Sequence, residues 1–175
     1  MGGEPAFAFE RVTREGPVPA APSKRSRFER LLDRHHRRLR RVVAGMLVDR
    51  DRIDDVLQEA YLRAYRKLPR RFADEAHEAA WLYTVVYRCS LDELRRARRR
   101  PETPQAELHV VAPGRPPDVL EVLRTLQPSD RAVLLLVDLL GFDYEEAAEV
   151  LGVPRGTVAS RLNAARTRFR RALDA

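Results

Sequence analysis

The side chains between positions 155 and 166 have the chemistry to read a duplex. Arg155, Gly156, Thr157, Ser160, Arg161, Asn163 and Arg166 fall on one face of a helical period, and Val158, Leu162, Ala165, Phe169 and Ala172 fall on the other. An arginine forks onto guanine, an asparagine pairs with adenine, and threonine and serine donate to phosphate or reach a thymine methyl. Gly156 marks a place where backbone can come close to a ligand, and a helix N-terminus favours an anion. Ahead of this face, Asp143 and Glu146 have the spacing of a capping box. The helix they open runs to about Leu151, where Gly152 can turn the chain, and Pro154 stands at the start of the next helix. Helix, glycine turn and helix make a helix-turn-helix. A helical hairpin with a solvated arginine face has the same spacing.

Catalysis finds no comparable support. His35, His36, His77 and His109 show no ligand spacing on one face, and there is no glycine-rich phosphate loop or nucleophile motif. His35 and His36 read as one partly buried and one exposed helical residue. The single cysteine, Cys89, excludes an intramolecular disulfide, a cysteine-rich zinc site and a redox pair. No enzyme activity, metal or cofactor is expected. The cysteine usage suits a reducing cytoplasm, and neither a membrane span nor a signal peptide is legible.

Charge locates the polyanion partner. The 175 residues carry a net charge of +7, and nearly all the basic residues are arginine, which GC-rich codon usage and phosphate contact explain equally well. Residues 27–100 hold 20 basic and 12 acidic residues. Residues 118–153 hold 2 basic and 8 acidic residues, whereas 154–175 hold 6 basic and 1 acidic, so the second half concentrates its cations on its last helix.

The elements that position these groups are helical. Phe28, Leu31, Leu32, His35, Leu39, Val42, Val43, Met46 and Leu47 repeat at steps of three and four. So do Ile53 to Leu68, stopped by Pro69, and a third run from Trp81 through Val85, Val86, Cys89 and Leu94 into Arg95–Arg100. Three such helices close a small bundle. Val119 to Leu126 and Val133 to Leu140, ended by Gly141, predict two further helices. No stretch alternates long enough for a sheet; Leu108–Ala112 is apolar but short. The prediction is an all-α chain: a disordered leader over 1–26, a helical domain over 27–100, a flexible linker over 101–117 with five of the twelve prolines, and a second helical domain over 118–175.

Residues 126–173, LQPSDRAVLLLVDLLGFDYEEAAEVLGVPRGTVASRLNAARTRFRRAL, resemble the C-terminal region of bacterial sigma factors of the extracytoplasmic-function (ECF) group. Their pattern is Leu-Pro, Asp-Arg, Gly-Phe, Tyr-x-Glu-x-Ala, Leu-Gly-Val and Gly-Thr-Val-x-Ser-Arg. DDVLQEAYLRAYRKL at 54–68 is similar to the family's polymerase-clamp-binding helix, and WLYTVVYRCSLDELRR at 81–96 to its promoter-melting segment. The resemblance implies a sigma region two and a sigma region four. The first would dock on core RNA polymerase and capture the opened, single-stranded promoter element; the second would read a duplex element upstream. Two elements about 17 base pairs apart lie roughly 58 Å apart at 3.4 Å per step. A linker of seventeen residues reaches at most roughly 56–61 Å, enough once the domains add their own radii.

By the same resemblance, Asp54, Asp55, Gln58, Glu59 and Arg63 match the face that meets the clamp. Trp81, Tyr83 and Tyr87, with Arg88, Arg95 and Arg96, match the face that meets the opened strand, where aromatic rings and cations hold unstacked bases. Trp81 and Leu82 also suit a core. Asp92 with Arg95 and Arg96 matches an Asp-x-x-Arg pattern in which the carboxylate fixes local helix geometry. Four positions depart from the family's pattern: Arg88 where asparagine is usual, Ala159 where lysine is frequent, and Asn163 and Ala164 where histidine and arginine are frequent. An anti-sigma factor is a further partner the resemblance implies. Two other readings remain, a stand-alone helix-turn-helix regulator that binds an operator as a dimer and a degenerate sigma-like protein that binds polymerase without initiating.

Overall fold

The computed structural model describes residues 22–99 and 118–174, and among them every regular element is helical. The expected linker and the Leu108–Ala112 run lie outside the described residues, as does most of the leader.

The first unit is a three-helix bundle. α1 (Lys24–Met46) begins three residues inside the expected leader, because Ser23 caps it by accepting from the Ser26 amide at 3.1 Å. Its apolar stripe of Phe28, Leu31, Leu39, Val42, Val43 and Met46 is buried as the period requires. α2 (Ile53–Lys67) packs Val56, Leu57, Ala60 and Ala64 inward and stops two residues before Pro69. α3 (Glu75–Arg99) starts a turn and a half before Trp81. Its first turn has no apolar period to betray it, but Asp74 accepts from the His77 amide at 2.9 Å and starts the helix. Leu82, Tyr83, Val86 and Cys89 of α3 complete the core.

The second unit comprises α4 (Val119–Thr125), α5 (Pro128–Leu134), α6 (Tyr144–Leu151) and α7 (Arg155–Leu173). Asp118 with Glu121 and Asp143 with Glu146 form complete capping boxes at α4 and α6. Past Leu134, α5 widens into a π-helical turn over Leu135–Leu139 before Gly141, at φ +75°, turns the chain. Gly152, at φ +67°, ends α6 in the left-handed conformation that favours glycine. Pro154 stands at the N-cap of α7, and Val158, Leu162 and Ala165 are its buried face.

The two units are packed against each other, which the reading of two linked domains did not anticipate. α6 lies along α3, and α4 and α5 lie against α1. Phe142 meets the Tyr83 ring edge-on, with centroids 5.0 Å apart. Arg131, only 4% exposed, donates from Nη1 to the Met46 carbonyl at 2.5 Å, and Arg124 donates from Nε to the Leu47 carbonyl at 3.2 Å. Those carbonyls sit at the C-terminal end of α1, where free acceptors and the helix dipole favour a cation. Burial pushes the Arg131 guanidinium down to about 10, so it stays charged at neutral pH.

His35 lies half-buried against the Tyr83 ring, with centroids 5.8 Å apart, and His36 is exposed. Burial, and then the charge of Arg34, hold the His35 imidazole below its ordinary value; Arg38 acts in the same sense, and Glu75 and Glu78 oppose it. The folded chain therefore keeps His35 neutral where the unfolded chain takes up a proton, near pH 6.5. The stability this gives is full above about pH 6.5 and is lost as pH falls from there toward the depressed folded value. His77 has the opposite sign, because the Asp74 carboxylate raises it. In a His77→Gln background, melting temperature is expected to drop between pH 7.5 and 5.5, and His35→Phe to flatten the drop.

Candidate nucleic-acid interface

The residues expected to read a duplex lie on α7, and their surroundings in the fold differ. Arg155 is exposed at the helix start, with its Nε 3.8 Å from Glu145. Gly156 is exposed, and a Cβ placed there would meet nothing within 4 Å, so no packing inside the protein explains the glycine. Ser160 and Asn163 are exposed; Thr157 and Arg161 are half-buried. The Ser160 hydroxyl donates back to the Thr157 carbonyl at 3.2 Å. Arg166 is held by Asp138 through two hydrogen bonds, at 2.5 and 3.1 Å, and Arg168 is held by the buried Asp130 at 2.6 Å. These two arginines tie α7 to α5 and its π-helical extension, and Arg161 has no ion pair among the described residues.

On α3 the structure separates the expected strand-contacting residues. Arg88 is exposed and Tyr87 half-buried. Trp81 is half-buried against Phe72, with centroids 5.4 Å apart, and Leu82 is fully buried. Tyr83 departs most from the expected surface position: it is 2% exposed, held between His35 and Phe142, and burial pushes its phenol up to about 12. Arg95 is exposed beside Asp92 at 3.4 Å. Arg96 is bonded to Glu59 of α2 at 3.1 Å and lies 3.6 Å from the buried Glu93, so in this arrangement it clasps two helices.

The α2 face is likewise part surface and part clasp. Asp54 pairs with Arg40 of α1, and Asp55 with Arg52 at 2.7 Å. Glu59 accepts from Arg63 at 2.5 Å as well as from Arg96, and the Arg96 hydrogen bond foremost holds its carboxyl below the usual range. Arg63 reaches across to Asp92 at 3.0 Å. Asp92 thus fixes geometry between two helices, not only within its own. Gln58 is exposed, and Leu62, one turn further on, is 59% exposed in the middle of the same face.

Sequence reasoning missed Leu62, Arg131 and Phe142. Leu62 lies a helical step from Gln58 on the polar side of α2, so its place outside the apolar period was a signal. Arg131 and Phe142 stand within quoted family motifs, and nothing local marks them as contacts between the units. Among the described residues, no cluster of His, Cys, Asp or Glu can hold a metal ion, and no helix is long and apolar enough to cross a membrane.

Comparison with known proteins follows the same division. The family model for Sigma-70 region 2 matches residues 31–100, and that for Sigma-70, region 4 matches residues 118–169. The chain is 35% identical to the ECF RNA polymerase sigma factor SigM of Mycobacterium tuberculosis, over 99% of this chain and 92% of the relative. It is 30% identical to the ECF RNA polymerase sigma factor EcfG of Rhodopseudomonas palustris, over 75% of this chain and 76% of the relative. Two solved structures share the fold. CnrH in complex with the cytosolic domain of CnrY has a TM-score of 0.63 at 24% identity, over 87% of this chain and 90% of that one. The sigma factor RpoE in complex with the anti-sigma factor NepR from Bartonella quintana has a TM-score of 0.68 at 22% identity, over 85% and 98%. With both sigma regions in order and near-complete coverage by a relative more than 30% identical, the chain belongs to the extracytoplasmic-function RNA polymerase sigma factors.

Proposed function

We propose the following division of labour for this sigma factor, which binds core RNA polymerase and directs promoter recognition and transcription initiation. α7 reads the upstream duplex element through Arg155, Gly156, Thr157, Ser160, Arg161 and Asn163. α3 meets the opened strand through Tyr87, Arg88 and Arg95, with Trp81 and Tyr83 supporting it from behind. α2 docks on the polymerase through Asp55, Gln58 and Leu62, flanked by Asp54, Glu59 and Arg63. The observation that carries this reading is the exposed polar face of α7 on a helix-turn-helix whose other face is its own core. The protein supplies specificity and performs no catalysis of its own. Run-off transcription with core polymerase on a genomic fragment library tests this: transcripts sharing a two-part motif are expected, and binding without transcripts would contradict it.

The cations of α7 set a second expectation. Ala159 and Ala164 supply no charge, and Arg166 and Arg168 are held by carboxylates. Each phosphate contact contributes roughly 0.9 to the slope of log affinity against log salt, so the four arginines left on α7, Arg155, Arg161, Arg170 and Arg171, predict a slope no steeper than about −3.6 for this region. Titrating promoter duplex with the chain across salt measures it; a slope near −6 would contradict the count.

An anti-sigma factor is the regulatory partner the surface fits. A groove of about 760 Å³ joins α1 to the second unit, walled by Leu120, Leu123, Leu135, Leu139 and Phe169, with Arg41 at its rim. It suits an amphipathic helix with an acidic flank, which would hold both units at once.

A further inference from the structure

The junction of the two units gathers arginines for which the fold supplies no carboxylate. Arg124 of α4 and Arg131 of α5 donate to consecutive carbonyls, those of Leu47 and Met46, so their guanidiniums stand close together at the end of α1. The charge of Arg98, near the end of α3, acts on Arg131, and that of Arg50, in the loop after α1, acts on Arg124. None of these four has an ion pair among the described residues, whereas Arg52, Arg63, Arg96, Arg166 and Arg168 each meet a carboxylate within 3.1 Å. Asp118 and Glu121 are near enough to act on Arg124, but their carboxylates serve the α4 capping box, accepting from the Leu120 and Asp118 amides at 3.2 Å.

A helix end does not require so much positive charge. The last carbonyls of α1 present about half an elementary negative charge, which one guanidinium neutralises. Here two meet it and two more stand near, so the junction keeps an excess of cations in a partly desolvated place. It also keeps an unmet donor: Arg131 is 4% exposed, and its Nε has no hydrogen-bond partner among the described residues. A buried donor left over beside converging cations calls for an acceptor. Exposure is graded along the cluster, with Arg50 and Arg98 exposed, Arg124 half-buried and Arg131 buried, which makes a cationic path from the surface inward. Guanidinium forks suit phosphate oxygens, and a free polyphosphate has a terminal group that can enter such a path. The diester phosphates of a nucleic-acid strand are joined on both sides, so they can lie across Arg50 and Arg98 but cannot follow the path to Arg131.

We propose that Arg50, Arg98, Arg124 and Arg131 form an anion site that takes a free polyphosphate, inorganic or carried by a nucleoside, with its terminal phosphate toward Arg131. The four side chains come from the loop after α1 and from α3, α4 and α5, so a bound polyphosphate bridges both units and offsets the repulsion among the arginines. Its binding therefore stabilises the whole chain and not one helix alone.

Calorimetric titration of the full chain with inorganic pyrophosphate, at constant ionic strength and without divalent cations, tests the site. One saturable site is expected, and the melting temperature should rise by about 5–10 °C at a pyrophosphate concentration of about 100 times Kd. Arg50→Gln with Arg98→Gln, both at exposed positions, is expected to weaken binding about tenfold or more while the free chain melts as before. Arg37→Gln with Arg38→Gln removes the same charge from exposed positions on α1 and should leave binding within about twofold. Equal losses in the two variants would show general attraction to an arginine-rich surface, an adventitious ion only, and would overturn the proposal, as would the lack of a saturable site. Displacement of pyrophosphate by a short single-stranded oligonucleotide that binds more tightly through Arg50 and Arg98 would also overturn it, because the site would then be a strand contact.

Discussion

Leu62→Glu is expected to leave the chain folded and to weaken its binding to core polymerase on the order of 100-fold. The side chain is 59% exposed, so the unfolding free energy should change by no more than about 0.5 kcal/mol. Its neighbours explain the large effect on binding. Asp55, Gln58 and Leu62 follow one another at steps of three and four along the exposed side of α2, so a partner laid on this helix buries all three. Asp54, Glu59 and Arg63 on the flanks are already engaged with Arg40, Arg96 and Asp92. Ion pairs at a solvated rim add little affinity, whereas an apolar side chain at the centre of an interface costs about 2–4 kcal/mol when it is lost, and a buried charge in its place costs more. Titration of labelled polymerase with the variant, beside a thermal melt, separates the two effects. Gln58→Ala should cost less, because its amide can exchange water for a partner with little net change.

Arg161→Ala is expected to lower the affinity of the holoenzyme for its upstream element by about 5- to 150-fold, corresponding to about 1–3 kcal/mol, and to relax preference at one base position. Among the cations of α7 it is the one in the middle of the reading face that no carboxylate holds among the described residues. Arg166 would have to leave two hydrogen bonds to Asp138 to reach DNA, so Arg166→Ala should cost the duplex less while loosening α7 from the π-helical extension of α5. Arg161→Lys should not restore preference, since an ammonium lacks the fork that engages guanine at two atoms. Competition binding on promoter variants changed one base at a time measures both the loss and the relaxed position.

Much of this architecture was legible from periodicity, because a helix that buries one face must repeat its apolar residues. The stripes of α1 and α2 form the core observed, α7 buries Val158, Leu162 and Ala165 while Phe169 and Ala172 of its expected face are half-buried, and the Asp143–Glu146 cap is formed as its spacing indicates. Three features were not legible, each for its own reason. The first turn of α3 is held by the Asp74 cap and by Arg34 of α1 paired with Glu75 and Glu78, with no apolar period to mark it. The widening of α5 at Leu135–Leu139 arises in an unbroken run of leucine and valine that an α-helix would fit equally well. The docking of the two units depends on Arg131, Arg124 and Phe142, whose partners lie 59 to 85 positions away, a separation no local pattern encodes. The site divides in the same way. Residue types on α7 and α2 announce a polar face, but which arginines are free and which are clasped depends on carboxylates of other helices. Tyr83 shows this most sharply: an aromatic in a strand-contacting motif is equally an aromatic in a core, and its burial against Phe142 is a tertiary fact.

The central claim is that α7 meets duplex and α3 meets the opened strand. Its most direct test places a benzophenone side chain at Arg155 in one holoenzyme and at Arg88 in another, each on a promoter that supports run-off transcription. After irradiation, the cross-linked base is mapped. The claim predicts that position 155 marks the upstream duplex and position 88 one strand of the melted region, the latter only after opening. Cross-links from position 88 to the upstream duplex, or from position 155 to the melted region, would contradict it.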